Sequence, residues 1–169
     1  MKVLVIDSGG RGHSIAWQFK NDDKVKEVIC VPGNAGIAME IRCEYAKSNE
    51  EYLQIAKREK VDLVFVGPES PLTAGVVDLF MKEKIPIVGP VQKASILEGS
   101  KAYTKILCRE LNIPVAEFEI FVDHEKAKDY VKHVGYPVVV KADGLAQGKG
   151  SIVCSNTEEA IIAIERLMV

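Results

Sequence analysis

The sequence predicts an α/β fold, a Rossmann-like parallel sheet followed by the start of a second module with a small α+β domain. Three observations predict it. Over residues 1 to about 90, short apolar runs of strand length alternate with amphipathic, helix-length segments. Each of the first three runs ends in a polar or glycine-rich loop: "DSGGRG" (7–12), "PGNAG" (32–36) and "GPESP" (67–71). From about Gly89 the alternation gives way to two short helices and then a β-α-β-β-α pattern.

In chain order, the strand candidates of the first part are Lys2–Ile6, Glu27–Val31, Leu63–Val66 and Pro86–Val88. The helices between them are His13–Lys20, Asn49–Lys60 and Pro71–Glu83. Ser48-Asn49-Glu50-Glu51 reads as a capping box, and Pro71 suits a first helical turn. Residues 89–114 read as two short helices, the second capped by Ser100 and stopped before Pro114. A strand (Glu117–Phe121), a helix (Asp123–Val134) closed by Gly135, and a very apolar strand at 137–142 follow. After the loop come a strand, Ser151–Cys154, and a last helix capped by Thr157 with Glu158 and Glu159 in its first turn. The domain boundary is expected near residues 90–100. A final unit of about 50 residues with open sheet edges ordinarily needs company, so a longer parent protein is expected.

The 169 residues are 47% hydrophobic and 27% charged, ordinary values for a globular protein. A net charge of −2 and the absence of a Lys/Arg block argue against a nucleic-acid surface and toward small-molecule ligands. No apolar run approaches the roughly 18 residues that would span a bilayer, and a strand begins right after Lys2, so no membrane partner and a cytoplasmic setting are expected. Cys30, Cys43, Cys108 and Cys154 form no CxxC pair and have no histidine in ligand spacing, so reduced thiols are expected and no metal site.

In an open parallel sheet the loops after the strands share the carboxyl edge, where ligands bind. That edge gathers Gly9, Gly10, Arg11 and His13 from the first loop, Gly33 and Asn34 from the second, and Glu69 from the third. Arg11, flanked by glycines, suits an anion, and Glu69, between two prolines, can accept from sugar hydroxyls or an amine. Asp7 is out of place, because it puts a carboxylate where an anionic ligand would be expected; phosphate cradle, ribose reader and tight turn all stay open. The loop fails the G-x-G-x-x-G pattern, which disfavours a dinucleotide oxidoreductase.

The second cluster is "VVVKADGLAQGKG" (138–150). Lys141 leaves an apolar strand, and Gly144, Gly148 and Gly150 allow backbone N–H groups to converge on phosphate oxygens beside Lys149. Strand follows strand here, so it is no Walker A loop, and a phosphate flap is favoured over a plain hairpin. In "LEGSKAYTK" (97–105), Lys101 and Lys105 share a helix face, either a solvated surface or a meeting point for polyphosphate. No residue is singled out as catalytic.

Taken in order, "GGR" with His13, "PGNAG", "VGPESPLTAGVVD" (66–78), "LEGSKAYTK" and "VVVKADGLAQGKG" resemble the amino-terminal part of the glycinamide ribonucleotide synthetases, or phosphoribosylamine–glycine ligases, of the ATP-grasp superfamily. The resemblance covers essentially the whole chain. It implies a pre-ATP-grasp domain at 1–99 that helps bind phosphoribosylamine, and the start of the ATP-grasp domain at 100–169, with most of its small flap domain at 115–169. It implies joining of glycine to 5-phosphoribosylamine through glycyl phosphate, in purine biosynthesis, with ATP and Mg²⁺ or Mn²⁺ as cofactors. Lys101, Lys141, Asp143, Gly144, Gly148, Lys149 and Gly150 would hold ATP, and Gly9, Gly10, Arg11, His13, Gly33, Asn34 and Glu69 the phosphoribosyl substrate. The metal ligands and the remaining ATP-grasp core are expected beyond residue 169, so this stretch alone should not catalyse the reaction. The alternative is a non-catalytic nucleotide or sugar-phosphate binding module. The first loop departs from the family's usual Gly-Asn-Gly-Gly-Arg-Glu-His at Asp7, Ser8 and Gly12, and Gln147 replaces a usual small residue.

Overall fold

Val3, Leu4, Val5 and Ile6 are fully buried, which makes the first strand the centre of the larger sheet. The computed structural model describes residues 1–146 and 148–169, in two compact units, Met1–Ile96 and Leu97–Val169. Gln147 lies outside the described residues.

In the first unit β1 (Lys2–Asp7), β2 (Glu27–Pro32), β3 (Arg42–Cys43), β4 (Leu63–Val66) and β5 (Ile87–Val88) form a parallel sheet in the order β3-β2-β1-β4-β5. Val5 pairs with Cys30 on one side and Phe65 on the other. Alternate side chains leave opposite faces of a strand. Leu4 and Ile6, with Ile29, Val31, Val64 and Val66, pack on α3 (Asn49–Glu59) and α5 (Val76–Lys82). Val3 and Val5, with Val28 and Cys30, pack on α1 (Gly10–Lys20) and the short α2 (Ala35–Ala38). Helices on both faces are why β1 is apolar at consecutive positions, with each such side chain contributing about 1.5–3 kcal/mol.

Helix α3 starts as its sequence dictates. Ser48 Oγ accepts from Glu51 N at 3.2 Å, and Glu51 Oε2 reaches back to Lys47 N at 2.6 Å. It ends at Lys60, in the left-handed region at φ 53°. The helix expected over 71–83 is two helices, α4 (Glu69–Thr73) and α5, because Gly75 turns left-handed at φ 82° between them. Helix α1 starts at Gly10, three residues before the expected His13. The elements α2 and β3 are too short to leave a periodic signal.

In the second unit, α7 (Lys101–Glu110) follows α6 (Gln92–Gly99), which runs across the boundary between the units. β6 (Val138–Lys141) pairs antiparallel with β7 (Ser151–Cys154), and α8 (His124–Val131) and α9 (Thr157–Met168) cover one face. Val138, Val140, Ile152 and Cys154 face Ala127, Val131, Ala160, Ala163 and Ile164. On the other face Val139 and Val153, opposite one another in register, are 48% and 68% exposed.

Two further expectations are corrected. Glu117–Phe121 forms no strand among the described residues. Its aromatic side chains find other partners: Phe118 lies under Lys105 Nζ (5.6 Å) and the Arg109 guanidinium (4.8 Å), and Phe121 packs on Tyr130. Asn156 rather than Thr157 caps α9, its side-chain oxygen accepting from Glu159 N at 2.9 Å.

Candidate functional site

The strand order places the topological switch between β1 and β4, at the carboxyl edge where open α/β sheets bind ligands. Asp7 ends β1 and is buried. Its Oδ1 accepts from Ser8 N and Gly9 N, both at 2.6 Å, so the chain satisfies these donors with its own carboxylate. Oδ2 is buried without a hydrogen-bond partner among the described residues, 4.0 Å from Arg11 Nε. Two glycines make room for it. A Cβ on Gly12 would fall 2.2 Å from Asp7 Cβ, and one on Gly67 1.9 Å from Oδ2. The opening turn is therefore built around the Asp7 side chain.

Arg11 and Glu69 meet across the switch point, Nη2 to Oε2 at 3.4 Å, and Arg11 stays largely exposed. Asn34 does two jobs: Oδ1 caps α2 by accepting from Ile37 N (2.9 Å), and Nδ2 donates to Ser8 O (2.8 Å). Gly33, at φ 68°, donates its N–H to Asp7 O at 3.0 Å, and a Cβ there would strike Cys43 Sγ. Thus Arg11, Glu69, Asn34 and Gly33 converge on the turn begun by Asp7. Gly9 precedes α1 without a side-chain cap, and Gly10 opens the helix in open space. His13 is directed to Glu40, with Nε2 3.8 Å from Oε1. The part played by Gly12 and Gly67 escaped sequence reasoning. Glycines and a carboxylate within residues 7–12 were the only local signal of it.

In the second unit the geometry ties the glycine-rich loop to α7. Asp143 accepts from Ser100 Oγ (3.1 Å) and Ala102 N (3.1 Å), and Lys101 Nζ donates to Gly144 O at 2.6 Å. Burial pushes the Asp143 carboxyl up, but the Ala102 N–H and Ser100 hydroxyl outweigh it and hold it below the usual carboxylate range. Gly144 and Gly148 are left-handed (φ 85° and 78°) with open space where a Cβ would be. Gly150 is buried, and a Cβ there would meet Ala146 Cβ at 2.4 Å. Lys141 projects on the exposed face of β6, and Lys149 is exposed in the loop. Lys105 is engaged elsewhere, donating to Ala116 O at 3.3 Å, so it forms no pair with Lys101.

All four cysteines are free, and burial pushes the Cys30 thiol up to about 12. Among the described residues no group of three or more His, Cys, Asp or Glu could hold a metal ion, and no helix is long and apolar enough to cross a membrane. An open concavity on α8 and the turn after it, lined by Asp129, Tyr130, His133, Val134 and Gly135, contains none of the motif residues.

A doubly wound parallel sheet, followed by a lysine-bearing helix and a two-stranded sheet with a glycine-rich loop, agrees with the opening of an ATP-grasp protein. Residues 1–98 match the N domain of phosphoribosylglycinamide synthetase, and residues 99–169 match its ATP-grasp (A) domain. The chain belongs to the phosphoribosylglycinamide synthetase family. It is 46% identical to the phosphoribosylamine–glycine ligase of Halalkalibacterium halodurans, over 99% of this chain and 40% of that one. The crystal structure of the Thermotoga maritima phosphoribosylamine–glycine ligase superposes with a TM-score of 0.76 at 31% identity, over 96% of this chain and 38% of that one. The biotin carboxylase domain of a Hydrogenobacter thermophilus carboxylase, solved with MgADP, shares the fold (TM-score 0.75, 22% identity, 98% of this chain and 40% of that one). The chain spans about 40% of the length of the curated relatives it matches.

Proposed function

We propose that this chain forms the amino-terminal part of a phosphoribosylamine–glycine ligase, which joins glycine to 5-phosphoribosylamine with ATP cleaved to ADP and phosphate. The observation that carries the reading is that two consecutive domains of one family match in order and without a gap, at 1–98 and 99–169. The geometry is compatible with a division of labour. In the first unit Arg11 is open to the substrate phosphate, while Glu69 and Asn34 hold the loops around it. In the second, Lys101, Lys141 and Lys149 supply positive charge to ATP, and Gly144 and Gly148 let the backbone approach its phosphates.

ATP supplies the phosphoryl group that activates the glycine carboxylate. The chain's residues would bind and orient the polyphosphate and exclude water from it. No carboxylate cluster among the described residues fits Mg²⁺, so no step is assigned to a metal in this stretch. Four unpaired cysteines suit a reducing cytoplasm.

The test separates the two units in a full-length ligase carrying this stretch. Arg11→Ala should raise KM for phosphoribosylamine about tenfold, the loss of one charge-assisted contact, and leave KM for ATP unchanged. Lys141→Ala should do the reverse. Equal losses for both substrates in both variants would remove the division of labour, and no glycine-dependent ADP release from the unmodified enzyme would remove the reading itself.

A further inference from the structure

Three reciprocal hydrogen-bonded contacts in the second unit join residues far apart in sequence. The Asp143 carboxylate accepts from Ala102 N, 41 residues earlier, and from Ser100 Oγ. In return Lys101 Nζ donates to Gly144 O at 2.6 Å. None of these bonds is needed merely to start the helix, since Ser100 Oγ already accepts from Tyr103 N at 3.0 Å and caps α7. What the second pair adds is tertiary. Ala102 N–H belongs to the first turn, whose donors have no partner within the helix, and a carboxylate there also suits the helix dipole.

The geometry points to Asp143 as a positioning residue: its carboxylate fastens the start of the glycine-rich loop to α7 and so holds Lys101 beside Gly144, where both meet a polyphosphate as one unit. Asp143 is thereby reassigned from a contact to ATP to the clasp behind the contact, an inference that rests on the reading of loop 142–150 as the phosphate site.

Several details fit. Gly144 turns left-handed immediately after Asp143, and a residue with a Cβ would be strained there. Lys101 has three ammonium donors, and one bond to Gly144 O leaves two for phosphate oxygens. Thr104 Oγ1 donates to Leu97 O at 2.6 Å, fixing the first turn of α7 to the end of α6. The far end of the loop is closed separately by Ala142 N to Gly150 O and Lys149 N to Ala146 O, both 2.8 Å. The clasp therefore holds the first part of the loop, and Gly148 and Lys149 remain exposed.

The experiment uses the 169-residue chain, with inorganic tripolyphosphate as probe and NMR as readout. Hydrogen exchange at Ala102 N–H and the Lys101 ammonium signal report the clasp, and the Gly144 and Lys149 amide shifts report binding. Asp143→Ala should speed Ala102 exchange, erase the slowed Lys101 signal and weaken tripolyphosphate about tenfold, the loss of one charge-assisted hydrogen bond. Asp143→Asn keeps a carbonyl acceptor and should restore most of this, to within about threefold of the unmodified chain. In a Lys101→Ala background, neither Asp143 variant should weaken binding further.

Unchanged affinity and an intact Lys101 signal in Asp143→Ala would overturn the clasp, as would full additivity with Lys101→Ala. Should Asp143→Ala not fold, Asp143→Asn decides. A threefold loss that vanishes in the Lys101→Ala background supports the clasp, and a loss that persists there, or none at all, refutes it. If tripolyphosphate shifts nothing in the unmodified chain, the phosphate reading falls, while Ala102 exchange and the Lys101 signal still decide the clasp.

Discussion

Strands β1 and β6 look alike in sequence, "VLVI" and "VVVK", yet the two units use them differently. β1 is the middle of five strands with helices on both faces, and Val3 to Ile6 are fully buried. β6 belongs to a two-stranded sheet with helices on one face, and its residues alternate between half-buried and exposed. An apolar run thus reports a strand; it does not report how many layers cover it. That number depends on neighbours from elsewhere in the chain.

The largest expected effect breaks or confirms this contrast directly. Leu4→Ala in the buried sheet should cost about 2–5 kcal/mol in denaturant unfolding, the transfer loss plus an unfilled cavity. Val153→Ala on the outer face of the small sheet should change stability by no more than about 0.5 kcal/mol. If Val153→Ala costs as much as Leu4→Ala, something covers that face in solution and the contrast fails.

The same contrast explains what the sequence could show. The central strands β1, β2 and β4 of the parallel sheet were legible because double burial makes them mostly apolar, and the caps of α3 and α7 because Ser48 and Ser100 bond to donors three residues on. Local signals failed where a distant partner decides. Glu117–Phe121 alternates like a strand but finds no ladder partner among the described residues, and its Phe118 goes to two cations on α7. Gly75 splits one expected helix because its left-handed backbone overrides the surrounding helical pattern. In the candidate site, the loops at one sheet edge were legible from strand–loop alternation. That Asp143 reaches α7 and that Lys105 turns to Ala116 were not, since both depend on contacts the spacing does not encode.

An intermediate effect sharpens the comparison inside the first unit, where Asp7 is a buried carboxyl residue at the edge of a mostly apolar core. Gly12→Ala drives a methyl group into Asp7 and should cost about 1–3 kcal/mol, the usual penalty of overpacking. In an Asp7→Gly background the clash is gone, and the helix preference for alanine should make Gly12→Ala neutral or stabilising by up to about 1 kcal/mol. A double-mutant cycle in thermal unfolding measures the difference. Additive effects would mean that the turn does not depend on the fit of Gly12 against Asp7.

The smallest effect concerns the ion cluster at the other end of the same sheet. Arg42 on the edge strand β3 grips Glu59 at the end of α3 with two bonds, 3.1 and 2.9 Å, and Lys2 and Arg58 each reach Glu59 at 3.3 Å. The bonds from Arg42 pull the Glu59 carboxyl down to about 2, against a partial upward push from burial, with Arg58 and Lys2 adding to the fall. Glu27, bonded to Lys2 and then Arg42, is lowered as well. Both carboxylates are less easily protonated when folded, so the unfolded chain binds more protons in this range. Their stabilisation is therefore fully present above the ordinary carboxylate pKa near 4.5 and is lost as pH falls from there toward about 2. Unfolding midpoints measured from pH 6 down to pH 2 should fall through that window, less steeply in Glu59→Gln, and less steeply still in the unmodified chain at 1 M salt, where exposed pairs are screened. β3 has only two residues of ladder, Arg42 and Cys43, and the cluster adds side-chain bonds to an edge that is also packed through Ile41 and Cys43. A pH profile identical in Glu59→Gln and the unmodified chain would leave that edge held by its backbone pairing and by the packing of Ile41 and Cys43.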